Sequence, residues 1–296
     1  MPRRRPGRWD AVPEQHGRRF VVTGASGGLG LETARVLAAR GAEVVLAVRD
    51  VRKGDRVASE LPGAVEVRRL DVADLSSVRA FAADIGPVDV LVNNAGVLAV
   101  PYRLTADGFE THLATNHLGH FALANLMLPG IRDRVVVVSS HSHRAGVVDL
   151  DDLNWERRRY QPYAAYVSSK LANLLFLAEL QRRLTAARSE LRAVGAHPGS
   201  TATAITGNTG SAVKTWVGGW GHRLAGMPVW KGALTTLYAA TVDVPGNTFV
   251  GPDGLLEMRG WPTAVGRSRD AIDPDLARGL WRRSEELTGT GFPLDA

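Results

Sequence analysis

The 296-residue chain contains no cysteine, which excludes disulfides, thiolate-bound metals and a cysteine nucleophile together. Long apolar runs are missing as well. The longest, such as Val135 to Val138 and Leu171 to Leu177, fall far short of the roughly 20 residues that cross a bilayer. The basic start, Met1-Pro-Arg-Arg-Arg-Pro-Gly-Arg8, has no apolar stretch behind it, so it does not read as a secretory signal. A cytoplasmic protein with no integral membrane segment is expected. Lysine is scarce, with four residues (Lys53, Lys170, Lys214 and Lys231) against 32 arginines. A net charge of +6 could suit a nucleic acid or an anionic membrane. The arginines are scattered, however, with clusters only at Arg3–Arg5 and Arg157–Arg159. They read as solvated surface, and no nucleic-acid partner is expected. There is no linker and no internal repeat, so one domain is expected over residues 18–296, preceded by an arm of residues 1–17.

What the chain does have is alternation. Phe20 to Val22 is a short apolar strand, and Leu29 to Ala39 repeats apolar residues at helical period. The series continues with a strand at Glu43 to Val48, a helix at Asp50 to Leu61, and a strand at Val65 to Leu70. A helix at Leu75 to Ile85, a strand at Val88 to Val92 and a long helix at Phe109 to Leu128 follow. The four valines at 135–138 suit a strand buried on both faces. Then come a helix at Tyr163 to Ala186, a strand at Arg192 to Ala196, a helix around Lys231 to Thr241 and a last strand at Thr248 to Val250. Such alternation predicts an α/β, Rossmann-like, doubly wound parallel sheet with helices on both faces. Ligands then bind outside the carboxyl ends of the strands.

Two features carry chemistry at those ends. The loop Thr23-Gly-Ala-Ser-Gly-Gly-Leu-Gly30 joins a strand to a helix, with glycines at 24, 28 and 30. Glycines let the backbone approach a pyrophosphate, and the helix N-terminus supplies donors. Thr23, Ser26 and Leu29 of the same loop are further cofactor candidates. Tyr166 and Lys170 stand one helical turn apart on one face. A cation held there would favour phenolate and lower the tyrosine pKa, as a general acid/base near neutrality requires.

The ordered set Thr-Gly-x-x-x-Gly-x-Gly, Asp71-Val72, Asn93-Asn-Ala-Gly96, Asn116, Ser140, Tyr166-x-x-x-Lys170 and Pro198-Gly199 resembles the short-chain dehydrogenase/reductase family over residues 20 to 203. Thr115-Asn-His-Leu-Gly-His-Phe121, Val138-Ser-Ser-His-Ser-His143 and Ser169-Lys-Leu-Ala-Asn-Leu-Leu-Phe176 are similar, more narrowly, to its retinol-dehydrogenase-like branch. The resemblance implies a role for each matched residue. Tyr166 would exchange the proton with the carbonyl or alcohol oxygen. Lys170 would lower the tyrosine pKa and hold the nicotinamide ribose. Ser140 would hydrogen-bond the substrate oxygen, with Ser139 as its competitor. Asn116 would hold a water linking Lys170 to solvent. Asn93, Ala95 and Gly96 would line the adenosine ribose, while Asp71 and the Val72 backbone would meet the adenine. Pro198 and Gly199 would lead to Thr203, which would contact the carboxamide, with Thr201 as competitor. The 26 positions from Ser140 to Tyr166 exceed the spacing in most of the family and suit this branch.

Cofactor choice rests on the end of the second strand, where an acidic residue would bind the adenosine 2′-hydroxyl and repel a 2′-phosphate. Here Val48 is followed by Arg49, and arginine suits a phosphate. NADP(H) is expected in preference to NAD(H). Histidines 112, 117, 120, 141 and 143 lack metalloprotease spacing and cysteine companions, so no metal is expected. Glycines and tryptophans over about 204–230 suit a lid on an apolar substrate. The expected partner is a lipophilic carbonyl or alcohol, and a homo-oligomer is left open. Other readings are a ketoreductase of secondary-metabolite, polyketide-like biosynthesis, a silent NADP(H)-binding regulator, and a scaffold working through its basic arm.

Overall fold

Strands apolar on both faces are stable only when both faces are covered, and the chain arranges its valine-rich segments accordingly. The computed structural model describes residues 12–200 and 227–294. Eight strands form one sheet: β1 (Arg19–Thr23), β2 (Glu43–Val48), β3 (Ala64–Arg69), β4 (Val88–Asn93), β5 (Ile131–Val138), β6 (Arg192–Ala196), β7 (Phe249–Pro252) and β8 (Pro262–Ala264). Their order is β3-β2-β1-β4-β5-β6-β7-β8. All neighbours are parallel except β7 and β8, which run antiparallel. The order turns back between β1 and β4, the crevice where such sheets bind ligands.

Helices cover both faces: α1 (Gly28–Ala39), α2 (Val51–Ala58), α3 (Leu75–Asp84), α4 (Gly119–Met127), α5 (Pro162–Ala186), α6 (Val229–Thr241) and α7 (Pro274–Thr288). One buried cluster unites the β-sheet side chains Val21, Val45, Leu91, Val135 and Val137 with α3, α4, α5 and α7. The opposite cluster unites Phe20, Val22, Val44, Leu46, Val136 and Val138 with α1 and α6. The sheet thus alternates its strand side chains between two cores, as a period of two requires.

The structure corrects several expected boundaries. The helix expected from Phe109 begins at residue 111. Glu110 instead pairs with Leu104 in an isolated bridge, and its carboxylate accepts from Leu113 N at 2.8 Å in place of a Ser or Asp cap. Leu113–Leu118 is a π-helical turn. The chain also continues past the last expected strand. The antiparallel edge β8 and the helix α7 had no counterpart in the alternation. The described part of the expected arm is docked: Val12 and Gln15 are each 2% exposed, and Gln15 N donates to Arg40 O. Of the expected lid, residues 204–226 lie outside the described residues. Met227, by contrast, is buried and Val229–Trp230 open α6.

Candidate active site

The site begins where β1 ends. Thr23 is fully buried, and its Oγ1 accepts from Asn94 N and Ala95 N, both at 2.9 Å. Asn94 Nδ2 donates to Thr23 O at 2.8 Å. The loops after β1 and β4 are therefore tied together across the crevice. Gly24 has φ +67°, and a Cβ there would lie 2.9 Å from Ala95 Cα, so only glycine fits. Gly28 has φ +57° and faces open space. It begins α1, whose first turn has no acidic residue and no side-chain cap. Uncapped amides at a helix start, beside an open glycine loop, fit an anionic pyrophosphate. Ser26 is partly buried and Leu29 nearly fully so, anchoring the loop to the core.

At the end of β2, Val48 is buried and Arg49 exposed. Asp50 is turned toward the backbone, where its carboxylate caps α2 by accepting from Lys53 N at 3.0 Å. Among the described residues it makes no ion pair with Arg49. The structure adds a residue that the sequence reading missed. A Cβ on Gly27 would stand 3.8 Å from Lys53 Nζ, so this ammonium lies over the glycine loop. The signal was available, since Lys53 follows Arg49 by four residues and is one of only four lysines. Across the crevice, Asp71 Oδ1 accepts from Ala73 N at 3.0 Å and Val72 is 7% exposed. Asn93 is buried and donates to His120 O at 3.4 Å.

The π-helical turn presents Asn116, which is fully buried. Its Oδ1 accepts from Val97 N at 2.8 Å, and its Nδ2 donates to Val97 O at 3.1 Å and to Ser169 Oγ at 2.8 Å. Such turns recur at functional sites because they displace one residue from the helical ladder. His120 Nδ1 donates to Asn116 O at 3.2 Å, leaving Nε2 to accept from the Thr23 hydroxyl at 2.9 Å. Burial holds His120 near pKa 4, which keeps it neutral. A Cβ on Gly96 would be 3.0 Å from Asn116 Oδ1 and 3.6 Å from Lys170 Nζ. All three residues therefore meet at one point.

Lys170 is 6% exposed, and its Nζ donates to Val138 O at 3.2 Å. Burial lowers its pKa to about 8. One carbonyl does not satisfy three donors, and a buried ammonium with donors to spare fits ribose hydroxyls. Of the two serines, Ser139 donates to Lys170 O at 2.7 Å, deep in the core. Ser140 shares a 2.8 Å bond with Ser142 Oγ, and both hydroxyls lie near enough to the Tyr166 phenol to favour its ionised form. His143 fixes this corner by donating from Nδ1 to Ser140 O at 2.7 Å while Nε2 accepts from Ser268 N at 3.2 Å.

Tyr166 differs from expectation in one respect. Burial raises its pKa, and the nearby Ser140 and Ser142 hydroxyls oppose that rise without overcoming it. Lys170 Nζ is 5.9 Å from the ring centroid and directed at Val138.

After β6, Gly199 takes φ +66° against the Met258 carbonyl, next to Pro198. Thr201 and Thr203 lie outside the described residues. The histidines have protein partners: His112 with Glu110, His117 with Ser284, His120 with Thr23, and His141 packed 6.0 Å from the His197 ring. No group of three metal-ligating side chains occurs among the described residues.

A glycine loop at the switch point of a parallel sheet, facing a Ser–Tyr–Lys cluster, defines an NAD(P)-dependent oxidoreductase. The sequence matches the family described as short chain dehydrogenase over residues 18–214. The chain belongs to that family, in its retinol-dehydrogenase-like branch. It is 39% identical to human retinol dehydrogenase 13, covering 94% of this chain and 86% of the relative. It is likewise 39% identical to mouse polyprenol dehydrogenase, covering 95% and 86%. A crystal structure of an uncharacterized protein from Mycobacterium paratuberculosis superposes with a TM-score of 0.84 at 53% identity, covering 95% of this chain and 97% of that one.

Proposed function

We propose that this alcohol–carbonyl oxidoreductase uses NADP(H) in preference to NAD(H), acts on a lipophilic substrate, and exchanges the proton through Tyr166. The observation that carries the reading is the meeting of Ser140, Tyr166 and Lys170 beside Gly96 and the glycine loop. When bound, the nicotinamide supplies or accepts the hydride at the carbonyl carbon. The chain's residues handle the rest. In the reducing direction the Tyr166 hydroxyl gives its proton to the carbonyl oxygen as that oxygen gains charge. Ser140 donates a hydrogen bond to the same oxygen, where a fixed donor is most effective. Burial, which raises the phenol pKa, favours the protonated Tyr166 that reduction needs. Lys170 holds the ribose hydroxyls and adds positive charge near the phenolate left behind. Asn116 anchors the loop at Val97 and is suited to hold a water leading from Lys170.

Arg49 and Lys53 support the NADP(H) preference, since they place two cations near the glycine loop while the Asp50 carboxylate is turned to the start of α2. Asp71 and Val72 would meet the adenine, Asn93, Ala95 and Gly96 the adenosine ribose, and Gly199 the nicotinamide. The names of the relatives, retinol and polyprenol dehydrogenases, support a lipophilic alcohol or its carbonyl. No described helix is long and apolar enough to cross a membrane. A cytoplasmic location is part of the reading and is checked by cell fractionation. Function itself is tested by following NADPH and NADH absorbance with retinoid, prenyl, steroid and polyketide-like carbonyls. Turnover of the lipophilic set with NADPH is expected. Turnover restricted to polyketide-like ketones, or preference for NADH, would contradict it.

A further inference from the structure

Glu110 is a carboxylate taken out of solvent, and nothing in the roles above uses it. It is 1% exposed, and the one basic side chain within ion-pair distance among the described residues, His112, is fully buried. Glu110 Oε1 accepts from His112 Nδ1 and from the Tyr160 hydroxyl, each at 2.8 Å, while Oε2 accepts from Leu113 N at 2.8 Å. His112 Nε2 accepts from Val100 N at 3.3 Å, so the ring proton sits on Nδ1 and is directed at Glu110. Burial alone would raise the Glu110 carboxyl. The bonds from His112 and the Leu113 amide outweigh it and hold the group below the usual carboxylate range.

Three stretches of chain meet on this one group. Val100 lies in the loop after β4, Glu110 to Leu113 open the π-helical turn, and Tyr160 ends the segment that makes the Ser140–Tyr166 gap long. Glu110 N donates to Asn154 Oδ1 at 2.6 Å in that same segment. The Tyr160 ring packs edge-on against Tyr102 at 5.0 Å and Trp155 at 5.6 Å. Finally, His112 meets the Tyr166 ring edge-to-face, with centroids 6.4 Å apart.

We propose that Glu110, His112 and Tyr160 are positioning residues, a buried carboxylate–imidazole–phenol cluster that joins the post-β4 loop to residues 147–160 as one wall of the substrate cleft. His112 transmits that lock to Tyr166. A buried anion holds a hydrogen-bond network in one geometry because each unmade bond leaves charge unsolvated. The wall it fixes is aromatic, through Tyr102, Trp155 and Tyr160, which suits a lipophilic substrate. The inference rests on Tyr166 as the proton donor, and its test separates the two.

The experiment compares the full chain, saturated with NADPH, with Glu110→Gln and the milder Tyr160→Phe. Hydrogen exchange is read by mass spectrometry over residues 97–104, 147–161 and the glycine loop 23–31. Both wall segments should exchange about tenfold faster or more in the variants, with the glycine loop unchanged. With a carbonyl substrate, kcat should fall roughly tenfold to a hundredfold for Glu110→Gln and less for Tyr160→Phe. NADPH affinity should stay within about twofold in both. Exchange that is unaltered, or raised equally everywhere, overturns the proposal, as does an unchanged kcat. Absence of turnover by the unmodified protein, or turnover retained by Tyr166→Phe, would instead overturn the proton-donor reading, while the exchange pattern still decides whether the wall is locked.

Discussion

Lys170 is held where the fold disfavours its charge. Its pKa falls from 10.5 to about 8 through burial. Between those values the unfolded chain binds a proton that the folded one does not, so stability rises with pH across that window. Below about pH 8 both states are protonated, and the full penalty, on the order of 3 kcal/mol, is present. Lys170→Met should therefore raise the Tm at pH 7 while activity is lost, and the gain should shrink as pH climbs from about 8 to 10.5. Thermal melts of both proteins across this range check it, and a destabilised variant at pH 7 would mean that the bond to Val138 outweighs burial. Arg49 and Lys53 are the opposite case, exposed cations with no ion-pair partner among the described residues. Each changed to alanine should weaken NADPH about tenfold to a hundredfold, the worth of a charged hydrogen bond of roughly 1.5–3 kcal/mol. NADH should be nearly unaffected. Equal losses for both cofactors, in binding titrations, would make these residues ordinary solvated side chains.

At the scale of elements, α7 supports the site from behind. Trp281 is 1% exposed and lies 4.8 Å from the Phe121 ring and 5.8 Å from Phe176, while Ser284 meets His117 at 2.8 Å. These contacts hold the π-helical turn that carries Asn116. Trp281→Ala should destabilise the fold by about 3–5 kcal/mol, seen as a lower urea midpoint, and should reduce kcat at temperatures where the variant remains folded. A variant with normal stability would show that α7 is peripheral. This helix was legible and unread: Asp273-Pro274 caps it, Gly289 ends it in the left-handed region, and its buried face follows helical spacing. The central strands were easier, because four consecutive valines at 135–138 admit little else. The π-turn was not legible, since its residues have ordinary helical preferences and the bonds that hold Asn116 there run to Val97 and Ser169, distant in sequence. The cofactor loop and the Tyr166–Lys170 pair could be read from spacing. The approach of Ser140 to the phenol and the Glu110–Tyr160 bond join residues distant in sequence, and no local pattern encodes them.

At the scale of the whole molecule, one sheet brings the carboxyl ends of its parallel strands β1 to β6 to one edge, and the proposed cofactor and proton-transfer residues follow those ends. The sheet supplies rigidity, the loops supply the groups, and two cores fix the strands between them. The account stands on Tyr166 as the group that exchanges the proton. The most direct measurement is the turnover of Tyr166→Phe on the best carbonyl found with NADPH, made alongside NADPH binding by the same variant. Turnover should fall by at least about a hundredfold, in line with the loss of a positioned general acid, while NADPH affinity stays within about twofold because the phenol is not the main cofactor contact. Substantial turnover by the phenylalanine variant would contradict the account.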